Sequence, residues 1–342
     1  MLQVEGSMGE GGGQIVRTCV ALSMVTGTPV TITNIRPDRP KPGLRPQHVA
    51  GIRAVADLCN GAVAGLKEGS RSIVFEPRNS RRGVLSVDVG TAGSISLVLQ
   101  SLMLAALASP RDLQVSVTGG TDVKWSPPID YVKNVTLPFL GAMGYHGTVS
   151  VNTRGYYPRG GGWAEFHFRP STLSPMKCVE SLPPRTVGGI SYCTGLPRKI
   201  AQRQANACSA ALEEHGLGPV TIQEEATTGH KGCTGSGICV WSDTGYIAGS
   251  ELGAPGKPAE RVGQEAADDL LKNLSKDLPI DPHLSDQIVP FIALAPGSRV
   301  RVHDTSHVRT NMAVVRMFLG DVLEVKDMGE HVLELRSRGS GM

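Results

Sequence analysis

An order of helix, strand, helix, strand, strand occurs three times along this chain, and that recurrence restricts the fold more than any other feature. The first copy has an apolar helical stretch from Ile15 to about Val25 and a strand over Pro29–Ile35. A helix from Gln47 and His48 to about Cys59, with Ile52, Val55 and Leu58 on one face, and strands over Ala62–Ala64 and Ser72–Glu76 complete it. The second runs through a helix Ser94–Ala106, a strand Leu113–Thr118, a helix Pro128–Leu140 and strands near Val149 and over Ala164–Phe168. The third has a helix Ser285–Leu294, a strand Arg299–His303, a helix His307–Leu319 and strands Val322–Lys326 and His331–Leu335. One such unit leaves a helix stripe and a sheet face uncovered, so the copies must stack, with helices over one face of each sheet. The second helices align at His48, Tyr131 and His307, which predicts that their first turns converge on a pseudo-threefold axis.

Residues 186–277 break the pattern. They read as a strand Gly189–Cys193, a helix Ile200–His215, a strand Val220–Glu225, a hairpin-like pair (Ile238–Ser242, Tyr246–Gly249) and a helix Ala259–Leu274. Pro183, Pro184, Pro279 and Pro282 bracket this segment as a chain leaving and rejoining its host would. The expected architecture is therefore an α/β three-repeat core, 1–185 and 278–342, carrying an inserted α+β domain, 186–277. A chain of 342 residues has room for both.

Seven cysteines, an odd number without a CxxC pair, speak against a disulfide framework or zinc ribbon and for a reducing compartment, by default the cytoplasm. No signal-like opening or apolar run near 18 residues stands out, so no membrane partner is expected. Disorder is expected only at the termini, as in residues 337–342. A net charge of +3 does not establish nucleic-acid binding but permits a local basic patch. Walker, dinucleotide-binding, GxSxG and HExxH signatures are absent.

Chemistry is therefore sought elsewhere. Thr305 and Ser306 are good N-caps for a helix whose first turn holds His307, where free backbone N–H groups favour a phosphate. A capping or surface histidine fits the same spacing, as does a His303/His307 metal pair, although the intervening cap sequence breaks that helix. Glu10 precedes a glycine-rich turn into a helix, a place for Mg²⁺ beside phosphate or for a carboxylate facing a helix dipole. Gly90-Thr-Ala-Gly93 invites the same two readings. Arg36, Arg39, Lys41 and Arg45 lie on a loop stiffened by four prolines, suited to phosphate oxygens or to solvent.

Together these segments resemble the RNA 3′-terminal phosphate cyclases over nearly the whole chain. The resemblance rests on Gly9–Arg17, Arg39–Leu44, Gln47–His48, Gly90–Ser94, Leu97–Gln100, Gly119–Asp122, His283–Gln287 and Ser306–Asn311. It implies a core of three repeats, each like the C-terminal domain of a bacterial translation initiation factor, with a smaller inserted domain. It implies a ligase that uses ATP and a divalent metal, Mg²⁺ or Mn²⁺, to convert an RNA 3′-phosphate into a 2′,3′-cyclic phosphate through a covalent histidine-AMP. His307 would then be the nucleophile and Glu10 a metal ligand. Gln100, Pro128 and the segment His283, Leu284, Ser285, Asp286, Gln287 would bind the nucleotide, with Pro128 and His283 sandwiching adenine. Some members carry Tyr where this chain has His283, and either ring could stack. Arg17, Arg36, Arg39, Arg45 and His48 would share the triphosphate and the RNA end. Partners are thus ATP and RNA, with homo-oligomerisation left open. Two other functions compete: a non-catalytic cyclase-like ribosome-assembly protein, and an enolpyruvyl transferase-like enzyme.

Overall fold

The computed structural model describes residues 1–79, 82–228 and 233–338. The first unit contains β1 (Leu2–Glu5), α1 (Gly13–Thr26), β2 (Val30–Thr33), α2 (Pro46–Cys59), β3 (Ala62–Ala64) and β4 (Ile73–Glu76). The second contains β5 (Val84–Asp88), α3 (Ile95–Ala106), β6 (Leu113–Gly119) and α4 (Ile129–Tyr131). A π-helical turn (Val132–Thr136), α5 (Leu137–Ala142), β7 (His146–Thr153) and β8 (Gly162–Arg169) complete it. The third opens with β9 (Lys177–Cys178). It then runs through β10 (Val187–Thr194), α6 (Lys199–Glu214), β11 (Val220–Thr227), β12 (Gly235–Ser242), β13 (Ala248–Leu252) and α7 (Ala259–Leu274). Helix α8 (Pro282–Ala293), β14 (Arg299–His303), α9 (Ser306–Leu319), β15 (Leu323–Gly329) and β16 (Val332–Ser337) end the chain.

Three four-stranded sheets share one order: β1-β2-β4-β3, β5-β6-β8-β7 and β9-β14-β16-β15. Each unit thus begins one strand earlier than its periodicity suggests. That strand runs parallel to the next one in its sheet, β1 on β2, β5 on β6 and β9 on β14. A parallel pair needs a crossover, and a helix supplies it by packing its apolar face on the sheet. In the third unit, everything from β10 to α7 lies within that crossover, as a fourth sheet ordered β11-β10-β12-β13.

Alternation in β8 sends Ala164, Phe166 and Phe168 inward and Trp163, His167 and Arg169 outward. Helix α3 carries no charged residue and is buried along most of its length; α1 and α2 both pack against it. A separate apolar cluster forms under the fourth sheet around Leu212, Ile238, Val240, Val262 and Leu270. All seven cysteines are free and buried. Among the described residues, no helix is long and apolar enough to cross a membrane.

Ser337 departs from the expected terminal disorder, because it is buried as the last residue of β16. Residues 339–342 of that expected tail lie outside the described residues. Nearby, buried Glu334 receives a two-pronged hydrogen bond from Arg299 (2.9 and 2.9 Å) and another from Arg336 (2.8 Å). Hydrogen bonds from Arg299 lead in lowering its pKa from 4.5 to about 2. A depressed folded-state pKa gives stability that is present above the ordinary glutamate range and lost as pH falls towards about 2. Glu334→Gln should therefore cost on the order of 1–3 kcal/mol at pH 7. Its urea midpoint should converge on that of wild type as pH falls from 4.5 towards 2; a gap independent of pH would show that Glu334 acts through packing alone.

Candidate active site

Helices α1, α2, α3, α8 and α9 and the loop after β6 enclose a cavity of about 920 Å³, in the upper range for small-molecule sites. His307 sits in the first turn of α9. Thr305 makes the N-cap, its hydroxyl accepting from the Val308 amide at 3.1 Å. The carbonyl of His307 accepts from Gln14 Nε2 at 3.0 Å, which fixes α9 against α1 from the opposite end of the chain. Thr18 Oγ1 donates to Asn311 Oδ1 at 2.8 Å, and Asn311 in turn donates to the Asp286 carbonyl, joining α8 to the same seam. Gln14 and Asn311 lie within the motifs read from the sequence and Thr18 just past the first of them, yet their joint role needs three distant helices side by side.

Glu10 reaches the same turn. Its Oε2 lies 3.7 Å from His307 Nδ1 and 3.7 Å from Arg39 Nη2, and its Oε1 accepts from the Ser306 hydroxyl. His307 has its pKa lowered, chiefly by burial; Glu10 opposes the shift, while Arg17, Arg39 and His283 reinforce it. Burial therefore favours the neutral imidazole. Among the described residues, no three His, Cys, Asp or Glu side chains gather as a metal cage, so His303 and His307 do not form one. His303 turns away, its Nε2 against the Ile280 carbonyl at 3.1 Å.

Arg17, Arg36, Arg39, Arg45 and His48 line the cavity, whereas Lys41 of the same loop does not, and they differ in their engagements. Arg36 is pinned by its own loop, donating to the carbonyls of Lys41 (3.1 Å) and Gly43 (2.8 Å). Arg45 pairs with Glu68 at 2.7 Å. His48 is buried, and its Nδ1 accepts from the Arg45 amide at 3.0 Å as part of a reciprocal helix cap. Its Nε2 points under the glycine turn, where a Cβ on Gly13 would come within 2.1 Å of it, so Gly13 must be glycine for the loop to lie on the imidazole. Burial, with help from Arg17, Arg36 and Arg45, holds His48 well below the usual histidine range.

Arg17 differs from these: its Nε is buried without a hydrogen-bond partner. Burial brings its pKa down to about 10. Asp286, half-buried beside it, is raised to about 7, first by burial, with His283 and Arg17 opposing. Arg17 as a residue lines the cavity, while its Nε is a buried donor without a partner, a costly arrangement that most buried polar groups avoid.

Gln100, His283, Asp286 and Gln287 also line the cavity. Leu284 and Ser285 from the same predicted segment do not; both are buried, Ser285 donating to the Asp281 carbonyl at 2.8 Å. Helical geometry turns those two positions of α8 towards the core. Pro128 caps α4 outside the wall, and the adjacent Pro127 lines it instead. His283 is exposed and meets Tyr131 edge-on at 6.1 Å. Tyr131, which aligns with His48 and His307 in sequence, is buried and donates to Asp281 at 2.6 Å, so only the two histidines of that trio line the cavity. Sequence reasoning also missed Lys124, Trp125 and Ser126 on the cavity rim.

Comparison with known proteins agrees with these motifs. The family model described as RNA 3′-terminal phosphate cyclase matches residues 8–325. A protein of that name from Archaeoglobus fulgidus is 47% identical over 326 residues, covering 95% of this chain and 97% of its own. Namesakes from Pyrococcus furiosus and Methanopyrus kandleri are each 44% identical, covering 95% and 99% of this chain and the same shares of theirs. The enolpyruvyl transferase NikO from Streptomyces tendae aligns with 99% of this chain and 48% of its own at 11% identity and a TM-score of 0.39, too slight to bear on fold or function. With a family model spanning most of its length and relatives this similar end to end, the chain belongs to the RNA 3′-terminal phosphate cyclase family.

Proposed function

We propose that this protein uses ATP to convert an RNA 3′-terminal phosphate into a 2′,3′-cyclic phosphate, with His307 as the residue that carries AMP. The observation that supports this most is a histidine in a helix first turn, pushed towards its neutral form by burial, beside Glu10 and inside a cavity lined by arginines. Its Nδ1 faces Glu10, which leaves Nε2 to attack the α-phosphorus of ATP. The N–P bond forms as the bond to pyrophosphate breaks. An RNA 3′-phosphate oxygen then attacks the phosphorus of the adduct, freeing the imidazole and giving RNA-(3′)pp(5′)A. Last, the adjacent 2′-OH attacks the RNA phosphorus, loses its proton and expels AMP. Because that hydroxyl is in the same nucleotide, the ring closes without the entropic cost of bringing in a second molecule.

In this reading Arg17 takes a phosphate oxygen from the cavity wall, while His48 and Arg36 hold the loop that carries Arg39 and Arg45. Gln100, His283, Asp286 and Gln287 form the nucleoside side, with Pro127 as its wall in place of Pro128. If a divalent cation is bound with ATP, Glu10 is the carboxylate at this turn that would hold it, and the ion would neutralise charge on the phosphates.

Glu10→Ala should raise the metal concentration needed for half-maximal adduct formation by at least roughly tenfold. Because the side chain is largely exposed, stability should change by less than about 0.5 kcal/mol. Unchanged metal dependence, titrated with Mg²⁺ and Mn²⁺, would reduce Glu10 to a partner of the Ser306 hydroxyl and the helix dipole. The overall function is tested by incubating the protein with α-labelled ATP and Mg²⁺, denaturing it and looking for label on the polypeptide. Without such an adduct the assembly-protein reading moves ahead.

A further inference from the structure

The cavity rim carries an aromatic residue to which the reaction assigns no task. Trp125 is 96% exposed, more than any other large hydrophobic side chain among the described residues, and it also lines the cavity. Its φ of +63° puts a bulky non-glycine residue in the left-handed region, where sterics disfavour it. Such strain persists only where the surroundings over-determine it, and here they do. The loop from Val123 to Pro128 is closed at its base by the Ile129 amide donating to the Thr121 carbonyl at 3.1 Å, and inside by Ser126 Oγ donating to the Val123 carbonyl at 3.1 Å. Asp122 and Asp130 flank it, and a single buried guanidinium, Arg154, binds both, at 3.4 and 2.7 Å. An exposed indole is thus held out on a rigid loop at the mouth of a basic cavity, with exposed Lys124 beside it.

We propose that Trp125 is the stacking platform for a nucleobase at the 3′ end of the single-stranded RNA. The proposal rests on the reading of this cavity as the site of an RNA 3′-phosphate. An RNA whose terminal phosphate lies within the cavity must leave it across the rim. Arginines inside can grip phosphate, but they give the terminal nucleoside no π surface. An indole does so for any base, which suits an enzyme that acts on ends rather than on sequences. Because the loop is fixed beforehand, little ordering is needed when the base arrives.

The test uses a short single-stranded RNA with a 3′-phosphate, titrated without ATP against the intrinsic fluorescence of the protein, which has three tryptophans. The RNA should quench wild-type fluorescence, and Trp125→Phe should remove most of that quench while binding, read by anisotropy of labelled RNA, stays within about threefold. Trp125→Ala should weaken RNA binding by about tenfold or more. In a separate arm, adduct formation from ATP without RNA should keep its KM within about twofold in Trp125→Ala. A rise in the ATP KM with unchanged RNA affinity would assign the stacked base to adenine and overturn the proposal. So would unchanged RNA binding, or a change of oligomeric state that made Trp125 a contact between copies. The fluorescence arm needs no catalysis. Loss of the adduct in wild type with RNA quenching intact would therefore count against the reaction and leave the RNA platform standing.

Discussion

His307→Asn should reduce covalent capture of AMP to below about one-thousandth of wild type, because the amide keeps polarity and hydrogen bonding but has no basic nitrogen to attack phosphorus. The backbone that fixes this turn does not depend on the imidazole. Thr305 caps the helix through its own hydroxyl, and Gln14 holds the carbonyl of residue 307, which any side chain leaves in place. The variant should therefore fold and still bind ATP, measured by equilibrium dialysis, within a few-fold of wild type. The wild-type adduct should be acid-labile and alkali-stable, as a nitrogen-linked phosphate is. An adduct persisting in His307→Asn, or label mapping to Lys124 on the cavity rim, would place the nucleophile elsewhere.

Arg154→Met should be the most destabilising single change of comparable volume, by more than about 3 kcal/mol. The guanidinium is 2% exposed, lies 3.7 Å over the Tyr192 ring and binds Asp122, Asp130 and Glu225, with two contacts to the last at 2.8 and 3.1 Å. Burial alone would lower its pKa, but Asp122, Asp130 and Glu225 together hold it well above the ordinary arginine value. Removing it leaves two buried carboxylates facing each other. Asp122, already raised by burial, would have to take up a proton. Tyr192 and Glu225 belong to the fourth sheet and Asp122, Asp130 and Arg154 to the second unit, so the loss also loosens the seam between them. Combining Arg154→Met with Asp122→Asn and Asp130→Asn should recover part of the loss, since no unpaired buried carboxylate then remains and Glu225 is partly exposed to water. Urea unfolding of the single and triple variants measures both effects; a loss under about 1 kcal/mol for the single variant would mean that water reaches the cluster.

Much of this fold could be read locally. Helix α7 and strand β14 begin and end where periodicity and flanking residues put them, since one face of each is apolar and the other is not. The leading strands escaped that reading, although β1 and β5 alternate over four and five residues; β9 has only two, too few for a period to show. Strand β9 is defined by pairing with β14, more than a hundred residues later. The π-helical turn in the second unit departs from the helix expected there for a related reason, since a single shifted hydrogen bond leaves the apolar pattern almost unchanged.

By itself the sequence determined most of the helices and strands and a histidine in the first turn of a capped helix, because each depends on residues a few positions apart. Only the tertiary structure decided which charges find partners within the protein. Arg36 and Arg45, indistinguishable from Arg17 as motif residues, are engaged by the Lys41 and Gly43 carbonyls and by Glu68, whereas burial among distant helices leaves Arg17 Nε unpaired. It likewise gathered Asp122, Asp130, Arg154 and Glu225 from separations of 24 to 71 residues, which no local pattern encodes. Pairing of charges depends on distance in space and on the water excluded between them, and both are set only when the elements pack.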